Sequence, residues 1–329
     1  MRRLIYILTS LCIILCLFLL GASEFAIQHA LNPGRRQMVV AERLHAVATD
    51  YPWTAAWVDS LQAADAIRDT FIVNHRGDSL HAFYVEAPEP TPNTAILVHG
   101  YTDCSLRMLC IGYLYHYNLG FNILLPDLYY HGFSQGDYIQ MGWFDRLDVM
   151  QWMEVANHRF GGATRQVVHG ISMGGATTMM VSGESLPDYV RAFVDDCGYT
   201  SVWDEFQGEL RNQFGLPPFP VLYTSSLLCR MQLGWSFQEA SALHAVERCH
   251  LPMLFIHGGN DTYVPTEMVY RLHAAKPQPK ALWVAPGSAH ACSYGDWPSE
   301  YTRQVATFLS GYFDDLQVRE TSSFDRESD

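Results

Sequence analysis

Short runs of apolar residues recur through the middle and the C-terminal part of the chain, with helical segments between them. The runs lie at residues 94–98, 122–125, 165–169, 192–194, 253–256 and 281–284. Runs of this length, each followed by a polar or glycine-containing turn, are typical of buried β-strands. Strands that alternate with helices predict a mainly parallel central sheet with helices on both faces. The pattern therefore predicts an α/β fold.

Three segments depart from this alternation. Residues 24–67 carry apolar positions at helical spacing and predict helices that lead into the domain. Residues 69–86 contain two short runs around a glycine-containing turn and predict a β-hairpin. Residues from about 199 to 249 have aromatic helical stretches broken by prolines and predict a small helical cap insertion between two strands of the sheet. We therefore expect the main domain at residues 68–316 and a flexible charged tail at residues 317–329.

The N-terminus is typical of an export or anchoring segment. Arg2 and Arg3 precede an uncharged, largely apolar stretch at residues 4–23. Gly21-Ala22-Ser23 could end a cleaved signal peptide, which would leave the protein secreted or periplasmic. The length of the stretch, enough to span a bilayer, favours instead an uncleaved signal anchor at residues 1–23. Basic residues ahead of the span then predict that the bulk of the chain lies outside the cytoplasm.

The charge of the chain bears on its partners. Acidic residues outnumber basic ones by 34 to 21, which gives a formal net charge of −13. No block of lysine and arginine appears after residue 43. Proteins that bind nucleic acid need clustered basic side chains to neutralise phosphates. We therefore expect no nucleic-acid partner.

The cysteines indicate neither a zinc site nor a disulfide framework. Two of the eight lie in the apolar N-terminal stretch, and the other six are scattered without a C-x-x-C pair. A location outside the cytoplasm would permit a bridge between Cys104 and Cys110. Buried free thiols are the interpretation we favour, because unpaired cysteine behaves as a small apolar side chain. We expect no bound metal.

One pentapeptide, Gly170-Ile171-Ser172-Met173-Gly174, has the G-x-S-x-G pattern of an exposed nucleophile. An apolar run precedes it, and a stretch of small residues that predicts a helix start follows it. Glycines at both flanks of the serine remove the Cβ atoms that would clash where strand and helix approach each other. The pattern therefore predicts that Ser172 is a catalytic nucleophile.

A serine hydroxyl needs a base within hydrogen-bond distance and an acid that orients the base. His290 follows the last predicted strand, and Asp261 follows the strand before it. The order Ser172, Asp261, His290 is the order expected on such a sheet. Asp195 or Asp196, at the end of an earlier strand, could supply the acid instead of Asp261.

The oxyanion of a tetrahedral intermediate needs donors that are fixed before the reaction. One predicted donor is the backbone N–H of Met173, directly after the nucleophile. The other is the backbone N–H of Tyr101, in the loop after the strand that ends at Val98. This chemistry requires no metal and no organic cofactor, so none is expected.

These segments together resemble an α/β-hydrolase, and in particular the bacterial membrane-associated serine hydrolases related to the serine aminopeptidase and acylglycerol-lipase branch. The resemblance implies that Ser172 is acylated, that His290 acts first as base and then as acid, and that Asp261 orients His290. It covers residues 69–315 and is carried by residues 99–101, 126–134, 170–175, 257–261 and 289–290.

The sequence therefore predicts a serine hydrolase that cleaves an ester, thioester or amide bond, with a carboxylesterase or lipase-like activity as the default. An aminopeptidase-like activity is the alternative, because Asp204, Glu205 and Glu209 could bind a free amino end. We favour a solvated helix face for these three residues. A third hypothesis is a membrane-tethered binding protein without turnover, which a broken triad would indicate. The sequence keeps the triad residues.

The cap insertion bears on the substrate. Its aromatic residues predict an apolar roof over the site, although part of the set packs within the insertion itself. We expect a small molecule or short peptide with an apolar acyl or aromatic group. The aromatic positions are Trp203, Phe206, Phe214, Phe219, Tyr223, Trp235 and Phe237.

Overall fold

A single sheet organises the computed structural model of the protein, which describes residues 1–35, 37–314, 316 and 318–319. Within those residues the sheet has eight strands, and each apolar run predicted as a strand lies inside one of β3 to β8. The strands are β1 (Arg68–Val73), β2 (Ser79–Val85), β3 (Asn93–Val98), β4 (Asn122–Pro126), β5 (Arg165–Ile171), β6 (Val190–Asp196), β7 (Met253–Gly258) and β8 (Lys280–Ala285).

The strand order is β1-β2-β4-β3-β5-β6-β7-β8. Strands β1 and β2 form the predicted antiparallel hairpin, and β2 also pairs antiparallel with β4. All pairings from β4 across to β8 are parallel. The carboxyl ends of those strands therefore meet at one edge of the sheet, where sites in α/β folds form. The predicted α/β-hydrolase fold class is confirmed.

Helices cover both faces of the sheet, so its central strands are buried on both sides. Alternate residues of one strand enter different cores, Ile96 and Val98 on one face and Ala95 and Leu97 on the other. The helices are α1 (Arg2–Leu31), α2 (Val40–Asp50), α3 (Ala55–Ala63), α4 (Leu109–Gly112, continued by a π-helical turn at Tyr113–Asn118), α5 (Asp145–Arg159), α6 (Met173–Ser182), α7 (Val202–Phe214), α8 (Val221–Leu233), α9 (Ala242–Val246), α10 (Glu267–Ala275), α11 (Ser293–Asp296) and α12 (Pro298–Leu309).

Helices α7 and α8, between β6 and β7 in the chain, form the cap, and α9 follows them and packs against α6. Ser201 caps the start of α7 by accepting a hydrogen bond from the N–H of Asp204, and α7 ends where Gly215 adopts a left-handed conformation. Gly234 ends α8 in the same way. These local signals define the helices, and tertiary contacts then hold them above the sheet edge.

Helix α1 has two different surroundings along its length. Large apolar side chains between Leu4 and Leu20 are exposed, whereas Ser23, Ile27 and Leu31 are buried. Among the described residues it is the one helix long and apolar enough to cross a membrane. The helix continues beyond residue 23, the predicted end of the anchor, because no helix breaker occurs before Asn32-Pro33-Gly34.

The eight cysteines are free thiols, and Cys104 and Cys110 are both buried without a bridge between them. The alternative of a Cys104–Cys110 disulfide is therefore wrong. The flexible tail predicted at 317–329 lies outside the described residues, except for Val318 and Arg319. The backbone N–H of Arg319 donates to the Asn118 carbonyl oxygen at 2.8 Å.

Candidate active site

Ser172 stands at a sharp turn between β5 and α6. Its φ of 57° is unusual for a residue other than glycine, and the turn directs its side chain away from the sheet. A Cβ atom on Gly170 would lie 2.0 Å from the Gly174 carbonyl oxygen, and one on Gly174 would lie 2.0 Å from the Val98 carbonyl oxygen. Glycine is required at both positions because the backbones of β3, β5 and α6 approach so closely.

His290 lies within hydrogen-bond distance of both other predicted triad residues. His290 Nε2 is 2.8 Å from Ser172 Oγ, and His290 Nδ1 is 2.7 Å from Asp261 Oδ2. Since a carboxylate can only accept, the Nδ1 proton of His290 is donated to Asp261. The Nε2 atom is then the acceptor for the Ser172 hydroxyl proton. This arrangement can transfer a proton away from an attacking serine.

The Asp261 carboxylate is buried and held by several donors. Its Oδ1 atom accepts the backbone N–H groups of Tyr263 and Val264, each at 3.0 Å. Burial opposes ionisation, but hydrogen bonds from His257 and His290 outweigh burial and lower the pKa of Asp261 to about 2. Asp261 is therefore ionised throughout the neutral range.

The alternative acids at the end of β6 have other hydrogen-bond donors. Asp195 accepts from the Gly198 N–H at 3.1 Å, and Asp196 accepts from the Tyr301 hydroxyl at 2.9 Å. Burial raises the pKa of Asp195 to about 8 and that of Asp196 to about 6. Of the three aspartates weighed from the sequence, the structure brings Asp261 to the His290 ring.

The predicted oxyanion donors flank the nucleophile. Met173 is the first residue of α6, and the first N–H groups of a helix have no carbonyl partner within the helix. The loop that contains Tyr101 lies against Ser172, since a Cβ atom on Gly100 would be 3.4 Å from the Ser172 Cβ atom. The Tyr101 hydroxyl donates to the Ala30 carbonyl oxygen of α1 at 2.8 Å, which fixes this loop.

A cavity of about 260 Å³ opens beside Ser172 and is bounded by α1 and by the cap helices α7 and α8. Most of its surface is apolar. Its lining includes Ala26, His29 and Ala30 of α1, Glu205, Phe206, Glu209, Leu210, Gln213 and Phe214 of α7, Val221, Leu222 and Ser225 of α8, and Tyr101, Ser172, Met173 and Tyr263 of the hydrolase core.

The solvated face expected for the acidic residues of α7 is wrong for Glu205. Its side chain is buried and lines the cavity, and none of the described residues donates a hydrogen bond to its Oε2 atom. Burial and the charges of Glu209 and Asp261 raise the pKa of Glu205 to about 8. Asp204 instead contacts Thr200 and Arg271 and does not line the cavity.

In the described part of the chain, one group of side chains has the spacing of a metal site. The ligand atoms of Cys197, Asp261 and His290 lie within 4.8 Å of one another. Burial and neighbouring carboxylates raise the pKa of the Cys197 thiol well above its usual value, whereas metal ions bind the thiolate. The group therefore fits an oriented Asp261–His290 pair better than a metal centre.

Sequence reasoning missed two contributors to the site. The α1 residues Ala26 and His29 form part of the cavity wall, and Tyr263 places its ring 5.0 Å from that of His290. The sequence does indicate that α1 continues beyond the apolar stretch, because helical spacing runs without a breaker up to Asn32. Nothing local in the sequence around Tyr263 indicates its contact with His290, which is decided by the fold of the loop after β7.

The sequence is similar to one family model and to proteins of two bacteria. The sequence model of the prolyl oligopeptidase family matches residues 130–316. The chain is 30% identical to the uncharacterized protein YqkD of Bacillus subtilis (strain 168) over 234 residues, which are 71% of this chain and 76% of YqkD. It is 26% identical over 191 residues to the uncharacterized protein YfhR of Escherichia coli (strain K12), covering 57% of this chain and 60% of YfhR.

Two solved structures share the fold at low sequence identity. The Pyrococcus furiosus esterase Pf2001 aligns with a TM-score of 0.60 and 20% identity, over 77% of this chain and 95% of that one. A puromycin-hydrolyzing peptidase of Mycobacterium tuberculosis aligns with a TM-score of 0.59 and 19% identity, over 78% of this chain and 40% of that one.

Proposed function

The chain belongs to the prolyl oligopeptidase family, and from this premise we propose that it is a serine hydrolase that cleaves carboxylic esters. Ser172 is the nucleophile, His290 the base, and Asp261 the residue that orients His290. The observation that carries the proposal is the pair of hydrogen bonds that links Ser172 Oγ to His290 and His290 to Asp261. The reaction runs through an acyl-serine intermediate without a cofactor.

In the first half of the reaction, Ser172 Oγ attacks the carbonyl carbon of the ester as His290 Nε2 takes the hydroxyl proton. The carbonyl oxygen becomes an oxyanion, which accepts hydrogen bonds from the N–H groups of Met173 and Tyr101. The carbon–oxygen bond to the alcohol then breaks. His290 gives its proton to the leaving oxygen, and the acyl group stays on Ser172.

In the second half, water attacks the acyl carbon while His290 again serves as the base. The bond between the acyl carbon and Ser172 Oγ breaks, and His290 returns the proton to Ser172. The products are a carboxylic acid and an alcohol. Throughout both halves the charged Asp261 stabilises the protonated His290 ring.

The apolar lining of the cavity supports a substrate ester with an apolar acyl group. Phe206, Leu210 and Leu222 supply apolar wall close to Ser172. Apolar walls bind alkyl or aromatic groups by removing their surface from water. The described residues of the lining include no lysine or arginine, so a highly charged acyl group would lose its hydration there without gaining such a partner.

The assignment of Ser172 is tested by labelling the full-length protein with a fluorophosphonate probe. We expect wild type to be labelled and to hydrolyse short-chain p-nitrophenyl esters. In Ser172→Ala we expect loss of labelling and a decrease in kcat of about four orders of magnitude or more.

The matched control is Ser182→Ala, which removes a buried hydroxyl of the same helix α6 that donates to the Met179 carbonyl oxygen. This variant should keep both labelling and turnover. Labelling that persists in Ser172→Ala, with circular dichroism like that of wild type, would refute Ser172 as the nucleophile.

A second candidate function, the removal of N-terminal amino acids from peptides, is favoured by one observation. Glu205 is a buried carboxyl group that lines the substrate cavity, and its Oε2 atom has no hydrogen-bond partner among the described residues. A substrate ammonium group would supply the missing donors and would favour ionisation of Glu205. Ester hydrolysis is our first choice because the rest of the cavity is apolar.

Comparing p-nitrophenyl esters with aminoacyl p-nitroanilides tests this alternative. We expect turnover of the esters and none of the anilides, and Glu205→Gln should leave ester turnover within about threefold of wild type because the substitution conserves size. Anilide turnover whose KM rises about tenfold or more in Glu205→Gln, but not in Asp204→Asn, would establish the peptidase instead.

We further propose that α1 is an uncleaved anchor that holds the enzyme at the outer face of the membrane. The exposed apolar side chains from Leu4 to Leu20 support a span, and Arg2 and Arg3 favour an N-terminus inside. The buried contacts of Ser23, Ile27 and Leu31 show that the helix continues into the hydrolase domain. Retention of α1 therefore keeps the cavity wall complete.

A further inference from the structure

Helix α8 of the cap contacts α1 at the point where the apolar stretch of α1 ends. The Ser23 and Thr224 hydroxyl oxygens are 2.5 Å apart, and Gln232 Nε2 donates to Glu24 at 2.8 Å. Ser23 and Glu24 follow directly on the exposed apolar part of the helix. If that part spans a bilayer, α8 lies at the level of the membrane surface.

The cap also exposes large apolar side chains beside this contact. Tyr223, Leu227 and Met231 occupy every fourth position of α8 and so form a stripe on one face of the helix. Met231 is 76% exposed and Leu227 59%. The preceding loop and the end of α7 add exposed Phe214, Leu216 and Phe219. We call these six residues the cap rim. Exposed apolar patches of this kind mark interaction surfaces.

The opening of the substrate cavity is next to the cap rim. Five of the described residues that line the cavity are exposed, and four of them lie after the span or at the end of α7, namely His29, Pro33, Gln213 and Phe214. The fifth is Tyr263, in the loop after β7. His29 lies 3.3 Å from the Gln213 side chain and has an edge contact with the Phe214 ring. His29 is eight positions after Gly21, about 12 Å along the helix axis. The opening is therefore close to the end of the span.

We propose that the cap rim lies on the lipid bilayer that α1 enters, and that the cavity takes a lipid acyl ester directly from that bilayer. The occupant of the rim is lipid, not a protein partner, because hydrogen bonds tie α8 to α1 at the end of the span. The side chains of the stripe can then insert at the boundary between headgroups and acyl chains.

The substrate part of this inference rests on the proposed ester hydrolysis. A lipid that enters at His29 and Phe214 would extend its acyl chain along the apolar wall of α7 and α8 and bring its ester carbonyl to Ser172. Attack by Ser172 releases the headgroup-bearing alcohol, and water then releases the fatty acid. Neither product requires a further reactant.

The position of the cap rim is tested without reference to activity. In full-length protein reconstituted in phosphatidylcholine vesicles, a photo-crosslinking p-benzoylphenylalanine replaces Leu227. We expect lipid adducts by mass spectrometry after illumination. The control replaces Val73, which is 64% exposed on the edge strand β1 and lies outside both α1 and the cap. Equal lipid adduct formation at the two positions would overturn the proposal.

The delivery of substrate is tested with Phe219→Ser, Leu227→Ser and Met231→Ser combined. We expect turnover of a phospholipid ester in the same vesicles to fall on the order of tenfold, because less apolar surface is available to insert. Turnover of a soluble short-chain ester should stay within about twofold of wild type. The combined control Phe71→Ser and Val73→Ser should change neither rate.

The results of these experiments distinguish failure of delivery from the bilayer from failure of the proposed ester hydrolysis. Phospholipid turnover that is unchanged in the triple variant, with soluble-ester turnover intact, would overturn delivery from the bilayer. A wild-type protein that hydrolyses neither substrate would refute the ester hydrolase itself. The crosslinking result would still decide whether the cap rim lies on lipid.

Discussion

The geometry around Ser172 depends on small distances between backbones. The positive φ of Ser172 is an unfavourable conformation that the surrounding β3, β5 and α6 impose. Gly170 and Gly174 make the close approach possible because neither carries a Cβ atom. The serine hydroxyl therefore points towards His290 Nε2, and the Asp261 carboxylate accepts the Nδ1 proton on the opposite side of the imidazole ring.

At this scale we predict a specific effect of Asp261→Asn. Asparagine keeps the shape of the side chain, but its amide can hold His290 in the tautomer that protonates Nε2, which then cannot accept the Ser172 proton. We expect kcat for a p-nitrophenyl ester to fall about 10⁴-fold with little change in stability. Steady-state kinetics and thermal unfolding measure the two quantities.

The matched control is Asp196→Asn, which alters the alternative acid at the end of β6. This carboxyl group accepts from the Tyr301 hydroxyl, so its replacement should lower kcat less than about tenfold. A loss in Asp196→Asn as large as that in Asp261→Asn would assign the orienting role to Asp196.

At the scale of secondary structure, α1 is the element with two different environments. Its first two-thirds present apolar side chains to the surroundings, and its last turns pack against the cap and the sheet core. The backbone carbonyl of Leu31 accepts the Ile139 N–H at 2.7 Å, and that of Ala30 accepts the Tyr101 hydroxyl. The last turns of α1 are therefore part of the same folded unit as the sheet and the cap helices.

Two isoleucines of α1 permit a matched test of this arrangement. Ile27 is 3% exposed and Ile14 is 62% exposed. In detergent-solubilised full-length protein we expect Ile27→Ala to lower the free energy of unfolding by about 2–4 kcal/mol, because it leaves a cavity in a packed core. Ile14→Ala should change it by less than about 0.5 kcal/mol. Chemical denaturation measures both, and equal effects would mean that the end of α1 is not part of the folded domain.

At the scale of the whole molecule, the parallel sheet assembles the site. Ser172 follows β5, Asp261 follows β7 and His290 follows β8, and these strands run in the same direction. Their carboxyl ends therefore bring residues 118 positions apart in sequence to within 2.8 Å of each other. The cap and α1 then enclose the space above this edge. The parallel strands therefore position the three residues at one edge of the sheet, and the loops that follow the strands carry their side chains.

The sequence allowed prediction of the features that are encoded locally. Short apolar runs that alternate with helical segments predicted the α/β class, because a strand buried on both faces is apolar whatever its neighbours are. The glycines around Ser172 predicted a sharp turn, because the steric requirement lies within the pentapeptide. The order of Ser172, Asp261 and His290 indicated a shared site, whose catalytic role stays a prediction until the variants are measured.

Other features depend on contacts between distant segments and could not be read from the chain. Glu205 has the pattern of a solvated helix position, yet α7 turns it into the cavity. The end of α1 becomes a cavity wall only through contacts such as that of Ser23 with Thr224, which are 201 residues apart. The sequence by itself determined the strands, the serine turn and the apolar span, since each follows from local sterics and hydrophobicity. The tertiary structure alone decided which side chains line the cavity, because burial is a property of packing between elements.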